Sequence, residues 1–323
     1  MQDGWVSGRA PATIANVGPG FDVLALAIRG PSDEVALRPA DRDSLSVEGV
    51  GAKSIPANFT ENTAGIVLEA LRRATGLREK LEVHLRKGIP AARGLGSSAA
   101  SGAAAALAFL KAFPESRSLG PAGFIRAAVE GEAAVSGRHF DNISGALLGG
   151  FVSIASTDPL VLRRETVGDA IHLAVAVPET ILRTADMRQV LPDSVSFRAA
   201  VGNLGKASTL ALALVQGDAG LAGRCLEDRF AEPPRSAFLP GYAEARAAAL
   251  GSGATGFAIC GSGSSVFAIA ESEPLAERTA HAMRDAFASH GVPAHAFVTH
   301  VDNSIPMLEL VRGLGPRFSL LSP

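Results

Sequence analysis

One run of residues, Pro90-Ala91-Ala92-Arg93-Gly94-Leu95-Gly96-Ser97-Ser98-Ala99-Ala100-Ser101, restricts the fold of this chain more than any other stretch. Leu81 to Leu85 before it read as a strand, and the alanine-rich segment Ala99 to Ala112 after it reads as a helix, so the run is a loop that opens a helix N-terminus. The first helical turn has amide hydrogens without intrahelical partners, and the aligned peptide dipoles add partial positive charge there. Gly94 and Gly96 carry no side chain to hold an anion away from those amides, while Ser97 and Ser98 add hydroxyls for capping, phosphate or a metal ion. A bare Gly-x-Gly-Ser-Ser string is more often an ordinary helix cap than a phosphate site.

The full twelve-residue match is more specific than that string. It resembles the phosphate loop of the GHMP kinases, the superfamily of galactokinase, homoserine kinase, mevalonate kinase and phosphomevalonate kinase. The resemblance implies an ATP site made by Pro90, Arg93, Gly94, Leu95, Gly96, Ser97, Ser98 and Ala99, to which we add Asn62. Gly261 and Gly263 lie between two strand-like runs, where the superfamily places a third glycine motif in support of the loop, though Ser264 stands where proline is usual. Read alone, that Gly-Ser-Gly is only a close-approach turn.

A chain of 323 residues, 47% hydrophobic and 19% charged, has the composition of a folded protein and length enough for two domains. A formal charge of -2 argues against a general electrostatic grip on nucleic acid. Cys225 and Cys260 are the only cysteines, which excludes a disulfide framework and a four-cysteine zinc site and fits a cytoplasmic setting. Neither a signal peptide nor a membrane span is expected. The Gly49 to Ser54 run lacks the glycine spacing of a Walker loop and reads as a surface loop, and His281, His290, His295 and His300 lack metal-ligand spacing.

Near the start, Val6 to Ala15 read as a strand that enters the turn Asn16-Val17-Gly18-Pro19-Gly20-Phe21-Asp22, after which Val23 to Ile28 resume as a strand. Asn16 and Asp22 are each satisfactory as simple turn formers. The segment from Ala10 to Asp22 nonetheless resembles the opening of homoserine kinases, with Ala25 departing from their glycine. His139-Phe140-Asp141-Asn142, followed by Leu147-Leu148-Gly149-Gly150, is similar to a second motif of that family, with Arg138, Phe140 and Gly145 where glycine and two prolines are usual. Glu34 to Leu37 and Leu45 to Val47 read as short strands, Thr63 to Thr75 as a helix stopped by Gly76, and Ala122 to Val135 as a helix carrying Glu130.

The family resemblance implies an α+β, two-domain fold: an N-terminal ATP-binding domain over residues 1–158, a ferredoxin-like domain over 159–305 entered at Thr157-Asp158-Pro159, and a surface tail over 306–323. It implies magnesium held by Ser98 and Glu130. It further implies that Asn16, Asp22, His139, Asn142, Arg188 and Arg235 bind L-homoserine, the arginines through its carboxylate, because a guanidinium fork meets a carboxylate with two parallel bonds. Asn142, Asp141 and Arg235 are the expected catalytic group, with no dedicated base. The expected reaction is phosphorylation of homoserine by ATP in threonine biosynthesis, and a homodimer is the expected assembly. Another small hydroxy acid, such as mevalonate or shikimate, and a non-catalytic ATP-binding regulator are the alternatives.

Overall fold

The computed structural model describes residues 4–135 and 137–321. Its elements run β1 (Val6–Ala15), β2 (Leu24–Ala40), β3 (Ser44–Gly49), α1 (Thr63–Thr75), β4 (Lys80–Lys87), α2 (Ser97–Ala112), α3 (Gly120–Ala133), α4 (Asp141–Leu148), β5 (Phe151–Thr157) and β6 (Leu160–Glu165). They continue with β7 (His172–Pro178), α5 (Thr184–Gln189), α6 (Phe197–Gln216), α7 (Ala219–Arg224), α8 (Glu232–Ser236), α9 (Tyr242–Gly251), β8 (Gly256–Ile259), β9 (Val266–Ala270), α10 (Glu273–Ser289), β10 (Ala294–Thr299), α11 (Leu308–Val311) and β11 (Phe318–Leu321).

Two sheets organise the chain. The larger has the order β11-β6-β5-β2-β4-β3, with β1 also paired to β2; the smaller is β10-β7-β9-β8. In the second, a β-α-β-β-α-β succession with antiparallel pairing throughout gives the expected ferredoxin-like arrangement. Its inner face and helices α6 and α7 share one buried cluster with β1 and β2, so Ile14 and Leu26 pack in the same core as Val175 and Phe267. A cleft formed along this seam therefore has rigid walls.

Small side chains set how closely helix and sheet approach. All but three residues of α2 are buried, most of them alanine, and a Cβ on Gly8 of β1 would lie 2.3 Å from the Ala104 carbonyl oxygen of α2. Bulkier residues along α2 would lift the phosphate-loop helix off the sheet.

Three expectations change. The two strands expected at Val23–Ile28 and Glu34–Leu37 are one strand, β2, because the Gly30-Pro31 interruption is absorbed by a register shift opposite Pro11 and Ala12. The turn at Thr157-Asp158-Pro159 is no domain entry: it joins β5 to β6 as a hairpin in the first sheet, and the chain crosses to the second sheet between Glu165 and His172. Nor is the tail from Pro306 only a surface strap, since β11 pairs with β6 and Met307, Val311 and Phe318 are buried in the first core.

Candidate active site

The chain between β4 and α2 is pinned at both ends. Beneath it, the buried Lys87 ammonium contacts Asp33 and donates to the Ser97 hydroxyl and the Ser101 hydroxyl, both at 2.8 Å. Asp33, on β2, accepts from the Gly88 and Ile89 amides at 3.0 and 3.2 Å. Burial lowers the Lys87 pKa, and the Asp33 carboxylate works against that fall. The cluster ties the loop's entry and its exit helix to β2.

Between these anchors the backbone turns through left-handed conformations at Ala92, Gly94 and Gly96 (φ 55°, 79° and 65°). The glycines are needed for space as well: a Cβ on Gly94 would lie 2.2 Å from the Cys260 carbonyl oxygen, and one on Gly96 would lie 2.0 Å from Thr13 Oγ1. The Gly261–Ser265 turn backs the loop, with the Ser265 amide donating to the Arg93 carbonyl at 2.9 Å. Gly96 caps α2 without any side-chain hydrogen bond, unlike Asn62 on α1 or Ser196 on α6. The first amides of α2 are thus left for a ligand. Arg93 brings a buried Nη1 that has no partner among the described residues, and burial lowers its pKa against the opposing pull of Glu179.

The expected nucleotide residues divide into cleft wall and support. Arg93, Gly94, Gly96, Ser97, Ser98 and Gly261 line a cleft of about 550 Å³, a size common for small-molecule sites. Leu95 and Ala99 point their side chains into the cores and offer only main-chain groups. Pro90 and Gly263 do not line the cleft, and Gly263 lies directly behind Gly94. Asn62 is a helix cap: its amide donates to the Pro56 carbonyl at 2.7 Å and its oxygen accepts from the Ala64 amide at 2.9 Å. The Ser97 hydroxyl is turned inward, donating to the Ile89 carbonyl at 2.9 Å.

The magnesium pair needs a correction. Ser98 Oγ lies 2.9 and 3.1 Å from the two oxygens of Glu132, not of Glu130. Glu130 instead meets Arg138 at 2.8 Å on the surface. Residues two apart on a helix point about 200° away from each other, so only one of these carboxylates can face the loop. Glu132 lines the cleft and is buried.

Opposite the loop stands a charged wall. Arg188, at the end of α5, donates through Nη2 to Asp22 Oδ1 at 2.6 Å and to His139 Nδ1 at 2.9 Å, which leaves the imidazole proton on Nε2. Its buried Nε has no hydrogen-bond partner among the described residues. Arg235, on α8, is 2% exposed, and its Nε and Nη1 are held by the Met187 and Gly261 carbonyls at 3.2 and 2.9 Å. Both guanidinium groups pack on the Phe21 ring, 5.3 and 5.2 Å from its centroid. Burial, and then the charge of Arg188, push the Arg235 pKa down to about 10. A bound anion would relieve both. Helix α8 is fastened by Glu232, which accepts from the Ile259 amide at 2.9 Å and from the Tyr242 hydroxyl.

The turn between β1 and β2 completes this wall. Asn16 and Asp22 adopt left-handed φ of 67° and 57°, costly for non-glycine residues and concentrated at functional sites. Asn16 spends its side chain on joining its turn to the Gly261 turn, donating to the Gly261 carbonyl at 3.0 Å and accepting from the Asp22 amide at 3.1 Å. At the floor, Asp141 accepts from the Asn142 amide at 2.7 Å, and Asn142 accepts from the Thr13 hydroxyl at 2.6 Å. Burial, reinforced by the Asp22 carboxylate, raises the Asp141 pKa to about 7.

One cleft therefore holds a helix N-terminus without a side-chain cap on one side and, on the other, the buried Arg235 and the half-buried Arg188. The chain around it matches known proteins over most of its length. The family described as GHMP kinases N terminal domain matches residues 62–150, and that described as GHMP kinases C terminal matches residues 210–289. A homoserine kinase of Halobacterium salinarum is 40% identical over 94% of this chain and 96% of its own length.

The chain belongs to the homoserine kinase family of the GHMP kinases. A homoserine kinase of Pyrococcus abyssi is 39% identical over 90% of this chain and 95% of its own length. The crystal structure of homoserine kinase from Cytophaga hutchinsonii superposes with a TM-score of 0.86 at 33% identity, covering 94% of this chain and 96% of that one. As a GHMP kinase, the protein is a small-molecule kinase that uses ATP. No helix among the described residues is long and apolar enough to cross a membrane.

Beyond the expected residues, the site includes Glu132, Thr13, Lys87 and Asp33. Of these, Glu132 carried a signal in the sequence as a second carboxylate on the helix already singled out, and Thr13 as a member of the segment from Ala10 to Asp22.

Proposed function

We propose that the protein transfers the γ-phosphoryl group of ATP to the side-chain hydroxyl of L-homoserine, giving O-phospho-L-homoserine for threonine biosynthesis. The observation that carries this reading is the pairing of Arg188 and Arg235 across one cleft from the phosphate loop, with Arg188 Nε buried and unpartnered among the described residues. An α-amino acid brings a carboxylate for the arginines and an ammonium for Asp22. Mevalonate has no ammonium, and a neutral sugar has neither charge.

Phosphoryl transfer passes through a loose transition state, so the protein's work is alignment and charge neutralisation. The α2 amides and Arg93 receive phosphate oxygens. Ser98 and Glu132 offer only oxygen donors, a set that suits Mg²⁺; when bound there, the ion neutralises charge on the phosphates. Asp22, Arg188 and Arg235 orient the amino acid, with His139 holding Arg188 from behind. Asn142 positions the reacting groups, and Asp141 fixes the start of α4 through the Asn142 amide.

The reading extends to a cytoplasmic homodimer with one ATP site per chain. Phe197, Val201, Leu204 and Leu212 form an exposed apolar stripe along α6, spaced to meet the same stripe of a second copy across a twofold axis. Sedimentation at micromolar concentration checks this, a monomer contradicting it.

ADP release with L-homoserine, mevalonate and shikimate in turn tests the substrate. Turnover with homoserine well above both others is expected. Preference for mevalonate or shikimate, or ATP binding without turnover on any of the three, would contradict the proposal.

A further inference from the structure

Three segments far apart in sequence converge on one buried side chain. Thr13, in β1, is 0% exposed, so it touches no substrate. Its hydroxyl donates to Asn142 Oδ1 at 2.6 Å, and its main-chain amide donates to the Leu95 carbonyl of the phosphate loop at 3.2 Å. Gly96 leaves just enough room for this junction, since a Cβ there would lie 2.0 Å from Thr13 Oγ1 and 2.8 Å from Asn142 Oδ1. On the other side, a Cβ on Gly145 of α4 would lie 3.2 Å from the threonine methyl group.

The hydroxyl has a single proton, and it is given to the carboxamide oxygen. With that oxygen engaged by Thr13, the NH₂ group remains for the cleft that Asn142 lines. The distinction matters because phosphate oxygens only accept. A carboxamide free to turn over would present its oxygen to them for part of the time.

We infer that Thr13 is a positioning residue for phosphoryl transfer: it holds the loop carrying the donor in register with the acceptor side and anchors the Asn142 carboxamide, whose NH₂ group is left for the reacting atoms. This rests on the kinase site proposed above. Nothing in the role requires Thr13 to bind either substrate, so its loss should slow the chemical step and spare binding.

The test is steady-state kinetics of wild type, Thr13→Val, Thr13→Ser, Thr13→Ala and Asn142→Asp with ATP and homoserine, alongside thermal melts. Misplacing reacting groups by about 1 Å costs about 100-fold in rate, so Thr13→Val should lower kcat by roughly 10- to 100-fold and leave both KM values within about twofold. Thr13→Ser should recover to within about threefold of wild type, and Thr13→Ala should resemble Thr13→Val. Asn142→Asp, which puts a carboxylate oxygen where the NH₂ group stood, should lose at least as much kcat as Thr13→Val. A merely structural threonine would move the melting temperature without this split between kcat and KM. If Thr13→Val cannot be obtained folded, the Ser and Ala variants, which differ by the same hydroxyl, decide the matter. The inference is overturned if the variant lacking the hydroxyl keeps kcat within about twofold of the one carrying it, or if Asn142→Asp keeps half of wild-type kcat. Wild type that turns over ATP without any dependence on homoserine would instead refute the site reading on which the inference rests.

Discussion

Replacing Asp141 with asparagine should stabilise the protein at neutral and alkaline pH while impairing it as a kinase. Asp141 is 3% exposed, and its pKa rises from the ordinary 3.8 to about 7 because burial penalises its charge and the Asp22 carboxylate repels it. A carboxyl whose folded-state pKa is raised binds its proton more tightly in the native protein than in the unfolded chain. Its contribution is therefore most favourable below the ordinary value and declines as pH climbs to about 7, after which it is constant. At about 1.4 kcal/mol per pH unit, the ionised group costs on the order of 4 kcal/mol above neutrality. The carboxamide introduced by Asp141→Asn would keep an oxygen to accept from the Asn142 amide, now without a charge to bury.

Urea unfolding of wild type and Asp141→Asn, without ligands, at half-unit steps from pH 5 to 8.5 provides the assay. Other titrating groups, including the buried Glu232 whose pKa is raised to about 7, are common to both proteins and cancel in the difference. The stability advantage of the variant should grow across this range by a little under about 3 kcal/mol and level off above pH 7.5, while kcat falls. A difference that stays flat with pH, or that favours wild type increasingly as pH rises, would refute the assignment of a raised pKa to this carboxyl.

Further substitutions probe the remaining parts of the cleft. Glu132→Gln should cut turnover at fixed magnesium by at least about tenfold, whereas Glu130→Gln, which loses only a surface pair with Arg138, should stay within about twofold of wild type. Magnesium titrations of both variants check this, and equal effects would contradict the assignment of the metal to Glu132. Arg235→Leu should raise the KM for homoserine by roughly 100-fold and leave ATP affinity nearly intact, because besides its bonds to the Met187 and Gly261 carbonyls the side chain loses charge-assisted ones to the substrate carboxylate, not to ATP. Gly94→Ala should abolish ATP binding measured by calorimetry, since its Cβ would fall 2.2 Å from the Cys260 carbonyl oxygen.

Much of this site is written in residues whose geometry is local. Gly94 and Gly96 announce a tight turn before a helix, and the alanines of α2 announce close packing, so the phosphate loop is readable without coordinates. The two arginines and the Gly261 turn are readable from their surrounding motifs, although only the folded chain brings them to one cleft. What stays hidden depends on distant contacts. Glu130 and Glu132, by contrast, are separable by period, since Phe124, Ile125, Ala128 and Val129 form a stripe that Glu132 continues, whereas Glu130 falls on the opposite face beside Arg126. Ser97 turns inward because Lys87 and Ile89, both outside the helix, reach its hydroxyl. Thr13 meets Asn142 across 129 residues, a pairing no local pattern encodes. The hairpin at residues 157–159 misleads for the opposite reason: Asp-Pro is a strong turn signal, and a turn signal does not say whether the next strand stays in the same sheet.

The central claim is that this cleft moves a phosphoryl group onto the hydroxyl of an amino acid held by Arg188 and Arg235. Incubation with L-homoserine and ATP labelled at the γ-phosphate, followed by mass spectrometry of the amino-acid fraction, tests it most directly. The label should appear in O-phosphohomoserine in a one-to-one ratio with ADP, and should vanish from it in Arg235→Leu at low homoserine. Label recovered as inorganic phosphate, with homoserine returned unmodified, would contradict the claim.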